Sequence, residues 1–519
     1  MKEFNTAGTC FPEDHYMVDI SERVGIIRGM IEKGSYFCIN RGRQYGKTTT
    51  LQALRRKLSD EYQVILTSFE GIGDSSFSSQ MALAYSFVSA IVFKMTWDKN
   101  RDEGLYQYLD EVQKTYAAAR EIPTDEFSLV ISRMCIKSEK PVVLLIDEVD
   151  QAGNYDSFIK FLALLRNMYL SRKEFPTFQS VRLAGVYDIK NLKLKIRNEN
   201  EHQYNSPWNI AVPFDVDMSL HADGIAGMLR EYQGEHGVSF DEDLVADEIY
   251  AYSGGYPFLV SRLCQIIEGK GFGWDREGVV NAVHEILNER NTLFDDLIKK
   301  LDQFPQLKQL MKAILFTGER RMFSLSEKYI QLAQMFNFIR NDNGAVRISN
   351  RIFETYLYNM FTAEIDVESI FRHGSIDRNQ FIVDGMLNMR HLIERFVVHY
   401  NDIYGSQGDA FKEKEGRRLF LLYLRPVING VGNYYIEAET RDETRTDIVV
   451  DYLGHQYVIE LKVWRGDSYN ERGERQLAEY LDYFHLDTGY LVSFCFNKNK
   501  KPEVRTVDVG GRTLHEAVV

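Results

Sequence analysis

The chain has 519 residues, of which 44% are hydrophobic, 13% aromatic and 26% charged, and it carries a net charge of −13. That length exceeds what one core holds and predicts two to four domains, while the aromatic content excludes a disordered chain. The acidic balance excludes a protein that binds polyanions with its whole surface, so any nucleic-acid contact requires a local basic patch or a metal ion.

The five cysteines, Cys10, Cys38, Cys135, Cys264 and Cys495, form no CxxC pair, which suits a reducing cytoplasm and offers no zinc site. The segment Met1 to Asn5 has no apolar h-region. No uncharged apolar run approaches the roughly 18 residues needed to span a bilayer. Neither a leader nor a membrane span is therefore expected, and the expected location is the cytoplasm.

In chain order, Tyr36 to Asn40 reads as a short apolar strand entering a glycine-containing loop, and Thr48 to Leu58 as a helix with Leu51, Leu54 and Leu58 on one face. Val64 to Leu66 and the fully apolar Val142 to Ile146 are further strands, the latter central. Met81 to Lys94 and Glu126 to Ile136 are helical, as is the stretch marked by Phe158, Phe161, Leu162, Leu165 and Met168. Val181 to Val186 and Ile210 to Phe214 complete the predicted strands. Strands alternating with helices indicate a parallel sheet covered on both faces. From Leu220 to about Leu301 the pattern is helical, broken at Gly254-Gly255-Tyr256-Pro257. Pro305 to Phe361 reads as helices with a hairpin at Asn341-Asp342-Asn343-Gly344, a winged-helix layout. Ala363 to Asn379 is polar and irregular and is the expected linker.

Two constellations carry chemistry. Phosphate binding needs a strand, a tight loop of N–H groups and a helix N-terminus aimed at the anion. Tyr36 to Thr50 supplies that order, with Arg41-Gly42-Arg43-Gln44-Tyr45-Gly46-Lys47-Thr48-Thr49 as the nucleotide-binding stretch. Lys47 is expected to reach the β- and γ-phosphates and Thr48 to place its hydroxyl on Mg²⁺. The departure is Arg41, which stands where the usual motif begins with glycine. Downstream, Asp147-Glu148 ends the apolar strand, where Asp147 can hold Mg²⁺ through water and Glu148 can polarise an attacking water. The alternative is a solvated acidic strand end, and Asp150 reads as a turn or helix cap rather than a ligand.

The second constellation is Arg445-Thr446-Asp447-Ile448-Val449-Val450 followed, thirteen residues after Asp447, by Glu460-Leu461-Lys462. Alternation along Tyr457 to Val463 puts Glu460 and Lys462 on one face, opposite Tyr457, Ile459, Leu461 and Val463. Asp447 and Glu460 can then converge on one Mg²⁺ or Mn²⁺, with the Leu461 carbonyl as a further ligand and Lys462 orienting the attacking water. The alternative is an amphipathic hairpin with a surface Glu/Lys pair.

Residues 1 to about 300 resemble the AAA-like ATPases found beside nuclease domains in bacterial genomes, close to the archaeal-type and STAND branches of P-loop ATPases. The resemblance rests on Phe4-Asn5-Thr6-Ala7-Gly8, His15-Tyr16-Met17-Val18-Asp19, the stretch Asn40 to Thr48, Asp147-Glu148 and Gly254-Gly255-Tyr256-Pro257. It implies ATP as ligand, makes Arg41 a family trait, and places Asp19 near the base and the Gly-Gly-Tyr-Pro turn near the phosphates. Arg197 and Arg262 are sensor or arginine-finger candidates, with a surface or interdomain salt bridge as the other reading.

Residues 366–519, and 410–496 most clearly, resemble the PD-(D/E)xK nuclease superfamily in the branch fused to such ATPases. There Glu415 matches the acidic residue of the upstream helix, Glu439 the acidic residue ahead of Asp447, and Gln476 and Tyr480 the helix that follows. The resemblance implies that Gln476 touches the scissile phosphate or the metal-bound water. Thr446 stands where the motif name has proline.

The expected fold is α/β: a P-loop ATPase core at 1–219 with a parallel sheet, a helical lid at 220–304, a winged-helix-like domain at 305–362 and an α/β/α restriction-endonuclease-like domain at 363–519. The expected function is an ATP-binding, metal-dependent nuclease connected with defence or mobile elements, acting on nucleic acid, DNA ahead of RNA, with a homo-oligomer open. The alternatives are a nucleotide-dependent switch or scaffold whose nuclease-like domain binds without cutting, and a winged-helix regulator reading DNA through Arg320, Arg321 and Lys328.

Overall fold

The computed structural model describes residues 2–98, 101–119, 124–186, 208–317, 321–363, 380–383, 385–404, 413–428, 432–439, 445–464, 467–495 and 502–519. These fall into two compact units, Met1–Ser219 with Met335–Asn337, and Leu220–Gln334 with Phe338–Val519. Among the described residues no helix is long and apolar enough to cross a membrane.

The first unit runs α1 (Ser21–Glu32), β1 (Phe37–Asn40), α2 (Lys47–Leu58), β2 (Gln63–Ser68), α3 (Gln80–Thr96), α4 (Glu103–Ala118), α5 (Thr124–Lys137), β3 (Val142–Asp147), α6 (Asp156–Leu170) and β4 (Ser180–Gly185). The four strands form a parallel sheet in the order β1-β4-β3-β2. All six residues of β3 are buried, as a strand covered on both faces requires. Leu144 and Ile146 pack with Phe87, Ile131, Phe158 and Leu162 from α3, α5 and α6. The alternate residues Val143 and Leu145 face the other side, where Leu51, Leu54 and Leu58 of α2 are also buried. Ile210 to Phe214, expected as a strand, forms only a single bridge from Val212 to Phe37. Pro213 has no N–H to donate, so the pairing stops after the Val212 N–H bonds the Tyr36 carbonyl.

The second unit opens with five helices, α7 (Ala222–His236), α8 (Glu242–Ser253), α9 (Pro257–Lys270), α10 (Arg276–Asn288) and α11 (Thr292–Gln303). The break between α8 and α9 is built by Gly254 at φ 57°, Gly255 at φ 69° and Pro257 at the first position of α9. A Cβ on Gly255 would lie 2.4 Å from the Leu220 carbonyl, so glycine is required by space as well as by backbone conformation. Next come α12 (Pro305–Thr317), α13 (Lys328–Met335), the antiparallel pair β5 (Ile339–Asp342) and β6 (Ala345–Ile348), and α14 (Arg351–Ala363). Asn343 and Gly344 at φ 46° and 83° make the tight turn of that hairpin. The expected linker at 363–379 lies, apart from Ala363, outside the described residues.

The remainder comprises the short pair β7 (Ile382–Val383) and β8 (Met386–Leu387), α15 (Met389–Tyr404), α16 (Glu413–Ile428), β9 (Gly432–Glu439), β10 (Arg445–Tyr452), β11 (His455–Val463), α17 (Asp467–Tyr483), β12 (Thr488–Phe494), β13 (Glu503–Val509) and β14 (Arg512–Val518). Six strands form one mixed sheet in the order β13-β14-β12-β11-β10-β9. Ile459 and Leu461 share a core with Phe396 of α15 and Phe420 and Leu424 of α16. Helix α17 lies against β11 and β12, and its residues Leu477 and Leu481 are close to the Gly489 backbone. Since Ile459 and Leu461 face α15 and α16, alternation turns Val458, Glu460 and Lys462 toward the α17 side.

Candidate functional site

The loop between β1 and α2 turns back through left-handed backbone. Gln44 and Gly46 adopt positive φ, 54° and 74°, and Gly46 stands immediately before the first residue of α2. Successive turns of this kind aim backbone N–H groups into one concavity at a helix N-terminus. Lys47 is 5% exposed, and its Nζ donates to the carbonyls of Arg41, at 3.0 Å, and Gly42, at 2.9 Å. Burial lowers its pKa, opposed by the negative charges of Glu148, Asp150 and Asp147. The Thr48 hydroxyl donates to Asp147 Oδ2 at 2.6 Å, so the side chains expected to flank Mg²⁺ already touch. Two adjacent hard oxygen donors beside a buried lysine fit a magnesium–nucleotide site.

Arg41 explains its own departure from glycine. It is absent from the positive-φ positions, so no glycine backbone is demanded there. Its guanidinium bonds the carbonyls of Asn40, at 3.0 Å, and Val216, at 3.1 Å, and sits 5.7 Å from the centre of the Phe214 ring. It therefore fastens the segment after the sheet to the loop. The glycine that space does demand is Gly42, where a Cβ would lie 2.8 Å from the Phe336 carbonyl. The Gly42 N–H donates to Asn337 Oδ1 at 2.8 Å, and Asn337 itself has φ 59°. Thr49 receives the Cys10 N–H at 3.3 Å, which brings the N-terminal segment to the first turn of α2. Arg43 is exposed, and Tyr45 is buried.

On the opposite side of the loop, Glu148 holds the left-handed conformation at φ 51°, and its N–H donates to Asp147 Oδ1 at 3.0 Å. Burial raises its pKa, against the pull of Lys47. Asp150 accepts the Val186 N–H, and a Cβ on Gly185 would meet its carboxylate at 2.9 Å. It thus ties the exits of β3 and β4 together. Arg182, in the middle of β4, is fully buried, and none of its guanidinium nitrogens has a hydrogen-bond partner among the described residues. Desolvation brings its pKa down to about 9, opposed by Asp147. Asp19 is exposed and bonded to Ser21 at the start of α1, which lowers its pKa.

In the second unit, β10 and β11 pair antiparallel with Ile448 opposite Ile459. Carried one residue further, that register sets Asp447 across from Glu460. The side chains of Asp447, Glu439 and Glu415 lie outside the described part of the structure. Glu460 is 1% exposed, and its Oε1 lies 2.7 Å from Lys462 Nζ. Lys462 Nζ also reaches Gln476 Oε1 at 3.4 Å, and Gln476 Nε2 donates to the Tyr480 hydroxyl at 2.5 Å. Glu460, Lys462, Gln476 and Tyr480 therefore form one chain of contacts between β11 and α17. The alternative of a surface Glu/Lys pair fails here, because β10, β12 and α17 surround the strand. The Leu461 side chain is buried in the opposite core, so only its backbone is available as a ligand. Among the described residues, no three His, Cys, Asp or Glu side chains gather as a metal set.

Of the sensor candidates, Arg262 is engaged with Glu289 at 2.5 Å and Gln265 at 2.5 Å, and Arg197 lies outside the described residues. Within its own unit the Gly254-Gly255 turn packs on Leu220 and Ser349. Sequence reasoning missed Arg182 and Asn337. An arginine inside an otherwise apolar run bound for a buried parallel sheet was a readable signal; nothing local marks Asn337.

The AAA-like domain family matches residues 16–359. The chain is similar in structure to a Walker-type ATPase of Pyrococcus abyssi, with TM-score 0.47 and 15% identity over 68% of this chain and 99% of that one. It is also similar to the Cdc6 protein of Pyrobaculum aerophilum, with TM-score 0.33 and 12% identity over 69% and 97% of the two chains. For the ORC2 protein of Aeropyrum pernix the values are 0.36, 13%, 66% and 93%. No curated protein matches the chain. The family match spans well over half of the 519 residues and includes the loop, Lys47, Thr48, Asp147 and Glu148, and the chain belongs to the AAA-like domain family of P-loop ATPases.

Proposed function

We propose that the chain is an ATP-controlled, metal-dependent nuclease, with its ATPase core at 1–219, a helical lid at 220–304, a winged-helix-like domain at 305–362 and a restriction-endonuclease-like domain at 363–519. The observation that carries the nuclease reading is the buried Glu460 paired to Lys462, with Gln476 and Tyr480 completing the contact chain. A protein does not bury a carboxylate beside an ammonium without cost, and the buried pair is retained where a charge at that place is used.

In this reading Lys47 and the loop amides hold the ATP phosphates, Thr48 and Asp147 hold Mg²⁺, and Glu148 orients water for hydrolysis. Asp447, Glu460 and the Leu461 carbonyl hold a second Mg²⁺ or Mn²⁺, which when bound supplies Lewis acidity to a phosphodiester. Lys462 neutralises charge on the phosphate, and Gln476 positions the water or phosphate oxygen. The substrate is nucleic acid, DNA ahead of RNA, in a defence or mobile-element setting. The test is ATP binding by wild type and Lys47→Ala, alongside Mn²⁺-dependent cleavage of DNA and RNA by wild type and Glu460→Gln. Binding lost in the first variant and cleavage lost in the second support the reading; cleavage equal in Glu460→Gln refutes it.

A second reading is a nucleotide switch that does not cut. It is favoured by the loop itself, where Lys47 is bonded to loop carbonyls and the Gly42 N–H to Asn337. ATP binding without cleavage of any substrate selects it.

A further inference from the structure

We propose that the buried contact between Tyr252 and Asp451 is a mechanical joint that ties the end of α8 to the strand carrying Asp447. The inference rests on the nucleotide-controlled reading of the Asp447–Glu460 site and names how that control reaches it.

Asp451 lies in β10, four residues beyond Asp447, and is fully buried. A polar side chain at such a depth is costly unless its oxygen accepts a hydrogen bond. Its Oδ2 accepts the Tyr252 hydroxyl at 2.8 Å, and Tyr252 is also fully buried. The Arg351 guanidinium stands 4.5 Å from the centre of the Tyr252 ring. Burial raises the Asp451 pKa, and Arg351, Tyr252 and Gln456 act against that rise. Buried polar contacts of this kind specify one arrangement of the elements they join, because every other arrangement leaves a desolvated group unpaired.

The joined elements are informative. Tyr252 sits two residues before Gly254, in the last turn of α8 and next to the Gly-Gly-Tyr-Pro break. Arg351 opens α14. The same edge of the sheet is held at two more points. Thr355 of α14 donates to the Tyr434 carbonyl in β9 at 3.3 Å, and the Tyr434 hydroxyl donates to Asn359 at 3.1 Å. At the β10–β11 turn, a Cβ on Gly454 would lie 2.9 Å from Glu277 of α10. Three helices therefore grip β9, β10 and the β10–β11 turn, and the Tyr252–Asp451 bond is a fully buried side-chain link to the strand bearing Asp447. A strand of four residues spans about 13 Å and transmits displacement as a stiff element.

The test uses the full chain and hydrogen exchange of the peptides covering α8 and β10, with and without Mg-ATP. In wild type, ATP is expected to change exchange in both segments. Tyr252→Phe removes one oxygen; it is expected to keep the α8 response and lose the β10 response. Asp451→Asn keeps an acceptor for the hydroxyl and is expected to keep both. Should Tyr252→Phe fail to fold by circular dichroism, Asp451→Val breaks the same bond from the other side, with the same expectation. A β10 response that survives the break overturns the joint alone. A wild-type β10 segment indifferent to bound ATP overturns the joint and the nucleotide-control reading together.

Discussion

Replacing Lys462 by methionine tests whether Glu460 is held as a charged ligand. The two atoms stand 2.7 Å apart, with 2% of the Glu460 and 19% of the Lys462 side chain exposed. At an effective dielectric of about 20 the gross attraction at that distance is about 6 kcal/mol. Most of it only offsets the cost of taking both groups out of water. What a variant measures is the cost of leaving one partner buried and alone, about 3–5 kcal/mol. The water that still reaches Lys462 places the expectation at the lower end, about 3 kcal/mol. The compact unit that holds both residues has about 300 residues, and a unit of that size loses roughly 2 °C per kcal/mol, so its melting point is expected to fall by about 5–6 °C. The assay is thermal unfolding of the full chain in EDTA. Adding Mn²⁺ is expected to narrow the gap, since a divalent cation supplies the charge that methionine lacks. The double variant Glu460→Leu with Lys462→Met is expected to recover most of the loss. Melting within about a degree of wild type in EDTA, or an equal rise of both proteins with Mn²⁺, refutes the reasoning.

Three further outcomes are expected. Glu148→Gln keeps ATP binding and slows hydrolysis by about 10²–10⁴. Because burial raises the folded-state pKa of Glu148, its protonated form favours folding at low pH, and that contribution is lost as pH rises through the folded value. The glutamine variant should therefore melt higher than wild type at pH 7, with the gain vanishing toward pH 4 in a pH series of melting curves. Arg182→Met removes a buried guanidinium that has no hydrogen-bond partner among the described residues and is expected to be neutral or to stabilise the first unit by about 1–4 kcal/mol in urea unfolding. Gly255→Ala places a Cβ 2.4 Å from the Leu220 carbonyl at a positive φ, and should destabilise the second unit by more than about 2 kcal/mol by the same method.

Much of the architecture was legible because burial writes itself into periodicity. The all-apolar Val142 to Ile146 announced an interior strand, and Leu51, Leu54 and Leu58 announced the helix that covers it. Glycine and proline marked the break at 254–257 and the hairpin at 341–344, where backbone conformation decides the residue. The segment Ile210 to Phe214 misled because its apolar residues suit a strand while Pro213 lacks the donor that a ladder needs. The long helix α4 was not read, since Glu103 to Ala118 spreads Leu105, Leu109 and Tyr116 thinly among polar residues. Of the candidate residues, Lys47, Thr48, Asp147, Glu460 and Lys462 could be named from short local spacing, and Gln476 only through the family resemblance. Asn337 on the Gly42 amide and Tyr252 on Asp451 could not, because each joins residues about two to three hundred positions apart.

In the proposed function, ATP at the P-loop governs cutting at the Asp447–Glu460 site. The direct measurement is the rate of Mn²⁺-dependent DNA cleavage with and without ATP, for wild type and Lys47→Ala. At least a tenfold change with ATP is expected in wild type and no response in Lys47→Ala. Equal rates with and without ATP in wild type, or the same response in both proteins, contradict it.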